Sequence, residues 1–414
     1  MSPESSFALG FCGYLLDMAP IPPRPVLDSR RFGRTPIPFL FGLVLCSLIA
    51  IAALGAIVLQ RGTAPAAVGL LLALLPIPLL VSLVLLIDRL EPEPRALLAA
   101  IFGAGAGIAV IIAVLGRVTG STAIAVPELG PHAGQAVAVS LGASIGAAVI
   151  AESLKGLVLL ALLPSRRTEL DGATDGVVYA SMIGLGFALV ANAYAYGQAW
   201  RAGIGSLAEE FARRGIFGPL WEALFTSMIG LGVAYAAARR GVAGYWAIGV
   251  GWVLAVTLDT LWNKSVTAGG TSLEVTYGIL VVALLVVISL VAADWRRVVA
   301  MINNFLPQFA AIDTVTASDL RMLTSLRLRR LGRHWARLNI GQDGMQAMRR
   351  YQLAATELAM ACNRNAHGRL TQEHFVRHRD DSLTLMREAV ASIREPGQLF
   401  PPPWVTHGPS AFGP

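Results

Sequence analysis

Runs of about 20 apolar residues recur along this chain, and a run of that length matches the thickness of a bilayer. Eight can be drawn, at roughly 37–60, 65–87, 96–116, 136–163, 176–198, 219–238, 242–262 and 271–293. In lipid a backbone must satisfy its own polar groups, so such runs fold as spanning helices. Composition supports this: of 414 residues 55% are hydrophobic and 14% charged, against roughly 25% charged in soluble domains. The expected fold is all-α, a polytopic transmembrane helix bundle of about eight spans with a C-terminal helical cytoplasmic segment. Pro76 and Pro78 fall inside the second run, where they predict a kink.

Arginine and lysine in short loops set the expected orientation. One side collects the arginines of the N-terminal tail, Arg89, Arg95, Arg166, Arg167, Arg239, Arg240 and the basic segment after Trp295. The other carries Arg61, Arg117, Lys264 and a dissenting trio, Arg201, Arg213 and Arg214. Both termini are therefore expected in the cytoplasm, with the protein in the cell membrane as a multi-pass chain. The first 35 residues hold four prolines near Arg24 and no long apolar stretch, which argues against a cleavable signal peptide. The expected divisions are a tail over 1–36, a membrane domain over 37–295, a basic helical cytoplasmic segment over 296–394 and a Pro-rich tail over 395–414. In the third of these, Leu320, Leu323, Leu326, Leu328 and Leu331 recur near helical spacing, and further helices are expected over about 343–365 and 371–393. Asp343 stands where it would cap the first of them. The arginines accompany no recognised nucleic-acid motif, so no nucleic-acid partner is expected, and a solvated hairpin or a surface lying on anionic lipid both remain open.

Polar groups inside the spans carry the functional information. Glu152 and Lys155 lie in the fourth run, Asn192 in the fifth, Glu222 near the outer start of the sixth, and Asp259 and Asn263 near the outer end of the seventh. An ionised group at the bilayer centre costs roughly 2.5–3.5 kcal/mol on insertion scales, so such groups pair or line a wet cavity. Glu152 and Lys155, three apart, share a helix face and read either as a self-neutralising pair or as part of a site. Glu222 and Asp259 have no cation on their own helices. If they face each other, one keeps its proton or a cation sits between them; if not, both snorkel to the interface. Three distant cysteines, Cys12, Cys46 and Cys362, offer neither a metal spacing nor a disulfide framework. All six histidines lie outside the spans, which excludes a histidine-based metal site within the membrane. Ser140, Ser144, Ser181 and Ser227 fall within spans but lack a histidine base, leaving only a serine–lysine arrangement with Lys155 for nucleophilic work.

Six segments, in order, resemble the PrsW-type intramembrane protease family. Glu152-Ser153-Leu154-Lys155, preceded by Ala151, resembles its Glu-Glu-x-x-Lys motif. Asp175-Gly176-Val177-Val178-Tyr179, Gly184-Leu185-Gly186-Phe187-Ala188 and Ala191-Asn192 resemble its Asp-Gly-x-x-Tyr, Gly-x-Gly-Phe-Ala and Glu-Asn segments. Glu222-Ala223-Leu224-Phe225-Thr226 and Asp259-Thr260-Leu261-Trp262-Asn263 resemble segments that begin with histidine in the family. Asp88 to Pro94 is similar to a loop of its actinobacterial members. The departures are at the positions that the resemblance marks as catalytic or metal-binding: Ala151 and Ala191 replace glutamates, and Glu222 and Asp259 replace histidines.

The resemblance implies an intramembrane peptidase acting on single-span or membrane-anchored proteins within the bilayer, of the anti-sigma-factor type. On that reading Glu152 is base or ligand, Lys155 its partner or an oxyanion stabiliser, and Asn192 a hydrogen-bond donor. Glu152, Glu222 and Asp259 would form a carboxylate set for a divalent metal ion, with oxygen ligands favouring magnesium, calcium or manganese over zinc. The substitutions equally allow a pseudo-protease that binds transmembrane segments without cutting them. Buried carboxylates also admit an ion or proton transporter, although no internal repeat supports it. Gly184 and Gly186 are expected to permit close helix approach, Asp175 to cap the fifth helix, and Trp262 to anchor at the interface.

Overall fold

The structure, a computed structural model, describes residues 62–90, 92–119, 136–166, 172–215, 217–239, 241–268, 270–312 and 315–393, with isolated positions such as Gly55 and Leu170. The expected span at 37–60, apart from Gly55, lies outside the described residues, as do both expected tails, Cys12, Cys46 and His132. Among the described residues there are seven helical stretches long and apolar enough to cross a membrane, and no strand. The all-α polytopic bundle is therefore the observed architecture. Two compact units are found, one containing residues 92–294 and one containing residues 295–414 with the short segment 89–91.

The membrane unit begins with α1 (Thr63–Leu74) and α2 (Ile77–Ile87). The expected kink falls here: the helical ladder lapses at Leu75 and Pro76, both still in the right-handed helical region, and resumes at Ile77 within one span. Pro76 and Pro78 both lack an N–H, so two ladder bonds are lost within one turn. Pro78 then sits at the start of α2, where a missing N–H costs nothing. There follow α3 (Arg95–Thr119), α4 (Ala136–Arg166) and α5 (Ala173–Ala202). The last helices of this unit are α6 (Ile204–Arg214), α7 (Phe217–Ala238), α8 (Val242–Ala268) and α9 (Gly270–Phe305), the final turns of α9 belonging to the other unit.

Helix α5 is the axis of this unit, packed against α1, α2, α3 and α7, while α7 in turn packs on α8 and α4. Its apolar residues run all round the helix, as a helix enclosed on every side requires. Gly184 and Gly186 set the spacing. A Cβ on Gly184 would collide with the backbone of Glu222 and Ala223 on α7, and one on Gly186 with the carbonyl of Phe102 on α3. The start of α5 is closed by Asp175, which accepts the N–H of Gly172 at 3.0 Å, and by Asp294 of α9, which accepts the N–H of Thr174 at 3.1 Å and its hydroxyl at 2.8 Å. The expected capping role of Asp175 is thus played from inside the first turn, with Gly172 at the cap position itself.

The sequence places the dissenting arginines in a loop, but Ile204–Arg214 forms helix α6. Leu207 is buried and Phe211 meets the Tyr196 ring at 5.7 Å, while Arg213 pairs with Glu209 at 2.8 Å and Arg214 with Glu210. Two arginines of the dissenting trio are therefore neutralised one turn away on their own helix.

The second unit contains α10 (Ala317–Leu323), α11 (Leu326–Asn339), α12 (Gln342–Ala366) and α13 (Gln372–Ile393) around a core that includes Met322, Leu323, Tyr351, Leu358, Phe375 and Met386. The leucine-rich stretch is two helices rather than one, because Ser325 turns out of helical geometry and caps α11 at the Leu328 N–H. Asp343 lies in the first turn of α12 without capping it; Gly341 holds the cap position, with a φ of 95°.

Candidate functional site

Glu152 and Lys155 follow from helical geometry: three residues apart on α4, they share a face, and both are wholly buried. Lys155 Nζ lies 2.5 Å from Glu152 Oε1. A second carboxylate arrives from α7, where Glu222 stands in the second turn, with Oε2 2.8 Å from the same Nζ. The ammonium is thus shared by two carboxylates from two helices. Its remaining side is closed by the Phe187 ring of α5, whose centroid is 4.4 Å away.

Thr226, one turn beyond Glu222, donates to the Glu222 carbonyl at 3.1 Å and lies 3.5 Å from Glu152 Oε2. Asp259 of α8 is buried and accepts from Asn263 Nδ2 at 2.7 Å. It is within electrostatic reach of Glu222, Glu152 and Lys155. Of the four charged groups Glu222 alone retains appreciable surface, with 17% of its side chain exposed. Three candidate spans therefore contribute ionisable groups to one buried cluster.

Asn192 is beside this cluster, not bonded into it. It is buried on α5 and faces Gly218, one turn before Glu222, and its Nδ2 has no hydrogen-bond partner among the described residues. Ser181 and Ser227 lie 3.2 Å apart and bond to each other, while Ser227 also donates to the Ala223 carbonyl. That leaves these two hydroxyls engaged away from Lys155. Trp262, expected at the interface, is buried and meets Tyr277 of α9 edge-on at 5.6 Å. Trp221 and Phe217 join the same aromatic group, so rings from α7, α8 and α9 gather near Glu222 and Asp259. Phe187 and Thr226 stand in the resembling segments without a site role assigned from sequence, and Tyr277 has no signal of its own there. The adjacency of Trp221 to Glu222, and of Trp262 to Asp259, was the available signal.

Residues 93–292 match the family model described as PrsW family intramembrane metalloprotease. This stretch is a PrsW-type domain. Comparison with curated proteins and with solved structures returned no match. The PrsW match brackets the whole cluster, from Glu152 on α4 to Asp259 on α8. Together with the apolar helices, the match supports a multi-pass membrane protein whose central stretch is of the intramembrane protease type.

The family description names a metal, so the fit of these side chains to one matters. Among the described residues no three of His, Cys, Asp or Glu gather as a ligand set. Between Glu152 and Glu222, where an ion bridging both carboxylates would stand, lies Lys155 Nζ. As arranged, the cluster does not fit a divalent ion.

Proposed function

We propose that this PrsW-type domain is an intramembrane peptidase for single-span or membrane-anchored proteins, of the anti-sigma-factor type, with both chain termini in the cytoplasm. The reading is supported by one relationship above all: the salt-bridged group of Glu152, Lys155 and Glu222, joined electrostatically by Asp259, in the middle of a lipid-embedded bundle. Peptide hydrolysis needs a group to take a proton from water and a donor for the leaving amine. Glu222 is the carboxylate with exposed surface and serves as base. Lys155 acts through it, as a positioning residue, and Glu152 fixes Lys155. Asp259, across the group, supplies or stores the second proton. Asn192 Nδ2, without a hydrogen-bond partner among the described residues, is placed to donate to a substrate carbonyl one turn away from Glu222.

The test is cleavage of candidate single-span substrates by the purified full chain in nanodiscs. Cleavage by wild type that falls at least about 100-fold in Glu222→Gln supports the reading, in line with the usual worth of a general base. Cleavage unaffected by Glu222→Gln and Asp259→Asn removes it. A second reading rests on a separate observation: alanines stand at positions 151 and 191, and Lys155 is held by both neighbouring carboxylates. On that reading the domain binds transmembrane segments without cutting them. Wild-type binding of a single-span partner with no cleavage under any condition would establish it.

A further inference from the structure

The family description leads to a metal, and the side chains lead elsewhere. We infer that Lys155 is the resident cation of this chamber and that the Glu152–Glu222–Asp259 cluster takes no divalent metal ion.

Lys155 Nζ stands 2.5 Å from Glu152 Oε1 and 2.8 Å from Glu222 Oε2, so it already fills the bridge between the two carboxylates. Magnesium, manganese or calcium would need these same oxygens at roughly 2.0–2.6 Å, in close repulsion with the ammonium. Lys155 has no retreat. Its side chain is fully buried, Phe187 of α5 closes one side at 4.4 Å, and its own helix carries Glu152 on the same face. An ammonium has three protons to place, and two carboxylates and an aromatic face account for them.

The donor set argues the same way. Two of the positions that the resemblance marks for glutamate are Ala151 and Ala191, so no carboxylate is available there. The histidine positions hold Glu222, which is engaged by Lys155, and Asp259, one of whose oxygens is engaged by Asn263. A hard ion that prefers six or more oxygens would find three side chains, two of them already paired with an ammonium. A cation supplied by the chain also explains why carboxylates could replace histidines. A carboxylate can pair with an ammonium as well as ligate a metal, whereas a neutral imidazole brings no charge to an ammonium.

This inference concerns the site of the proposed peptidase but rests on the ion-pair geometry and the donor set, not on cleavage, and its readout is metal content. The full chain, purified in detergent and offered zinc, manganese or magnesium, is desalted and assayed by elemental analysis, with thermal unfolding followed with and without EDTA. Ligands that bind only the folded state raise its melting temperature. The expected result is no stoichiometric ion and a melting temperature that neither EDTA nor added metal moves. A stoichiometric ion whose binding weakens by about tenfold or more in Glu222→Gln would overturn the inference. Glu222→Gln is chosen because its partly exposed side chain is the member of the group whose replacement best preserves folding. An ion kept undiminished in both Glu222→Gln and Asp259→Asn lies outside the chamber and upholds it. Cleavage without metal satisfies both this inference and the peptidase reading. Metal-dependent cleavage overturns this inference alone, and absence of both metal and cleavage counts against the peptidase alone.

Discussion

Lys155 Nζ and Glu222 Oε2 are 2.8 Å apart although 67 residues separate them in the chain. That bond ties α4 to α7 through the membrane interior and turns a local Glu152–Lys155 pair into a triad. Removing one member of a buried ion pair leaves an uncompensated charge and costs roughly 3–5 kcal/mol. Lys155→Met should therefore be the most destabilising change, because it strands two carboxylates. Glu152→Gln should follow, and Glu222→Gln should cost least, since its side chain keeps 17% of its surface. Thermal unfolding of the three variants in detergent checks the order; a Lys155→Met variant as stable as wild type would show that the triad contributes nothing.

Much of this was legible beforehand, for a physical reason. Spanning helices announce themselves as long apolar runs, so seven of the expected spans recur as helices where the chain is described. Ionisable residues in those runs stand out, so Glu152, Lys155, Glu222 and Asp259 could be named. Their partners could not all be named. Periodicity reports neighbours on one helix, which is why Glu152–Lys155 was readable and Lys155–Glu222 was not. Helix α6 was hidden because its apolar face is only a few residues wide and its charges resemble a loop. The break in the ladder at Leu75 and Pro76 is the kink that the two prolines announce in the sequence.

The close packing at Gly186 predicts a contrast between two glycines. An added methyl at Gly186 meets the Phe102 carbonyl and must push α3 away from α5, whereas at Gly146 on α4 nothing lies within 4 Å. Gly186→Ala should cost about 1–3 kcal/mol as overpacking. Gly146→Ala should be neutral or stabilise by up to about 1 kcal/mol through helix propensity. Equal melting temperatures for the two variants would mean that α3 and α5 are not in the contact described.

Asp294 of α9 closes the start of α5 by accepting from Thr174 twice. It caps a helix other than its own, so the cost of its loss should be that of a helix cap. Asp294→Ala should lower stability by about 0.5–2 kcal/mol, with Thr174→Val losing only the hydroxyl bond and costing less. Amide hydrogen exchange at the first turn of α5 should quicken in both, more in Asp294→Ala. Unchanged exchange there would show that α9 does not hold that end.

Arg329 lies in the core of the second unit, 2% exposed, and its guanidinium donates to the Leu323 carbonyl at 2.8 Å, the Thr356 hydroxyl at 2.7 Å and the Leu90 carbonyl at 3.3 Å. Three acceptors lie in three directions, which a planar fork can serve and a point ammonium cannot. Arg329→Lys should therefore destabilise this unit nearly as much as Arg329→Met, by about 1–3 kcal/mol for each polar group left unsatisfied. Full stability in Arg329→Lys would show that charge alone suffices there.

Asp88, immediately after α2, provides a test in pH. It is 3% exposed, and burial pushes its carboxyl up from 3.8 to about 7, against the opposing pull of the Glu93 N–H that its Oδ2 accepts at 2.9 Å. A carboxyl raised on folding stays protonated in the folded chain at pH values where the unfolded chain has already ionised. Its contribution is favourable below pH 3.8 and is lost as the pH climbs towards about 7, after which it changes no further. The loss has a ceiling of about 4 kcal/mol, at roughly 1.4 kcal/mol per pH unit across that window. Asp88→Asn keeps an oxygen for the Glu93 N–H but carries no charge at any pH. It should therefore be more stable than wild type at pH 8 and lose that advantage as the pH falls towards 4. Parallel melting curves for the two proteins from pH 4 to pH 8 would mean that Asp88 ionises in the folded chain as freely as it does in water.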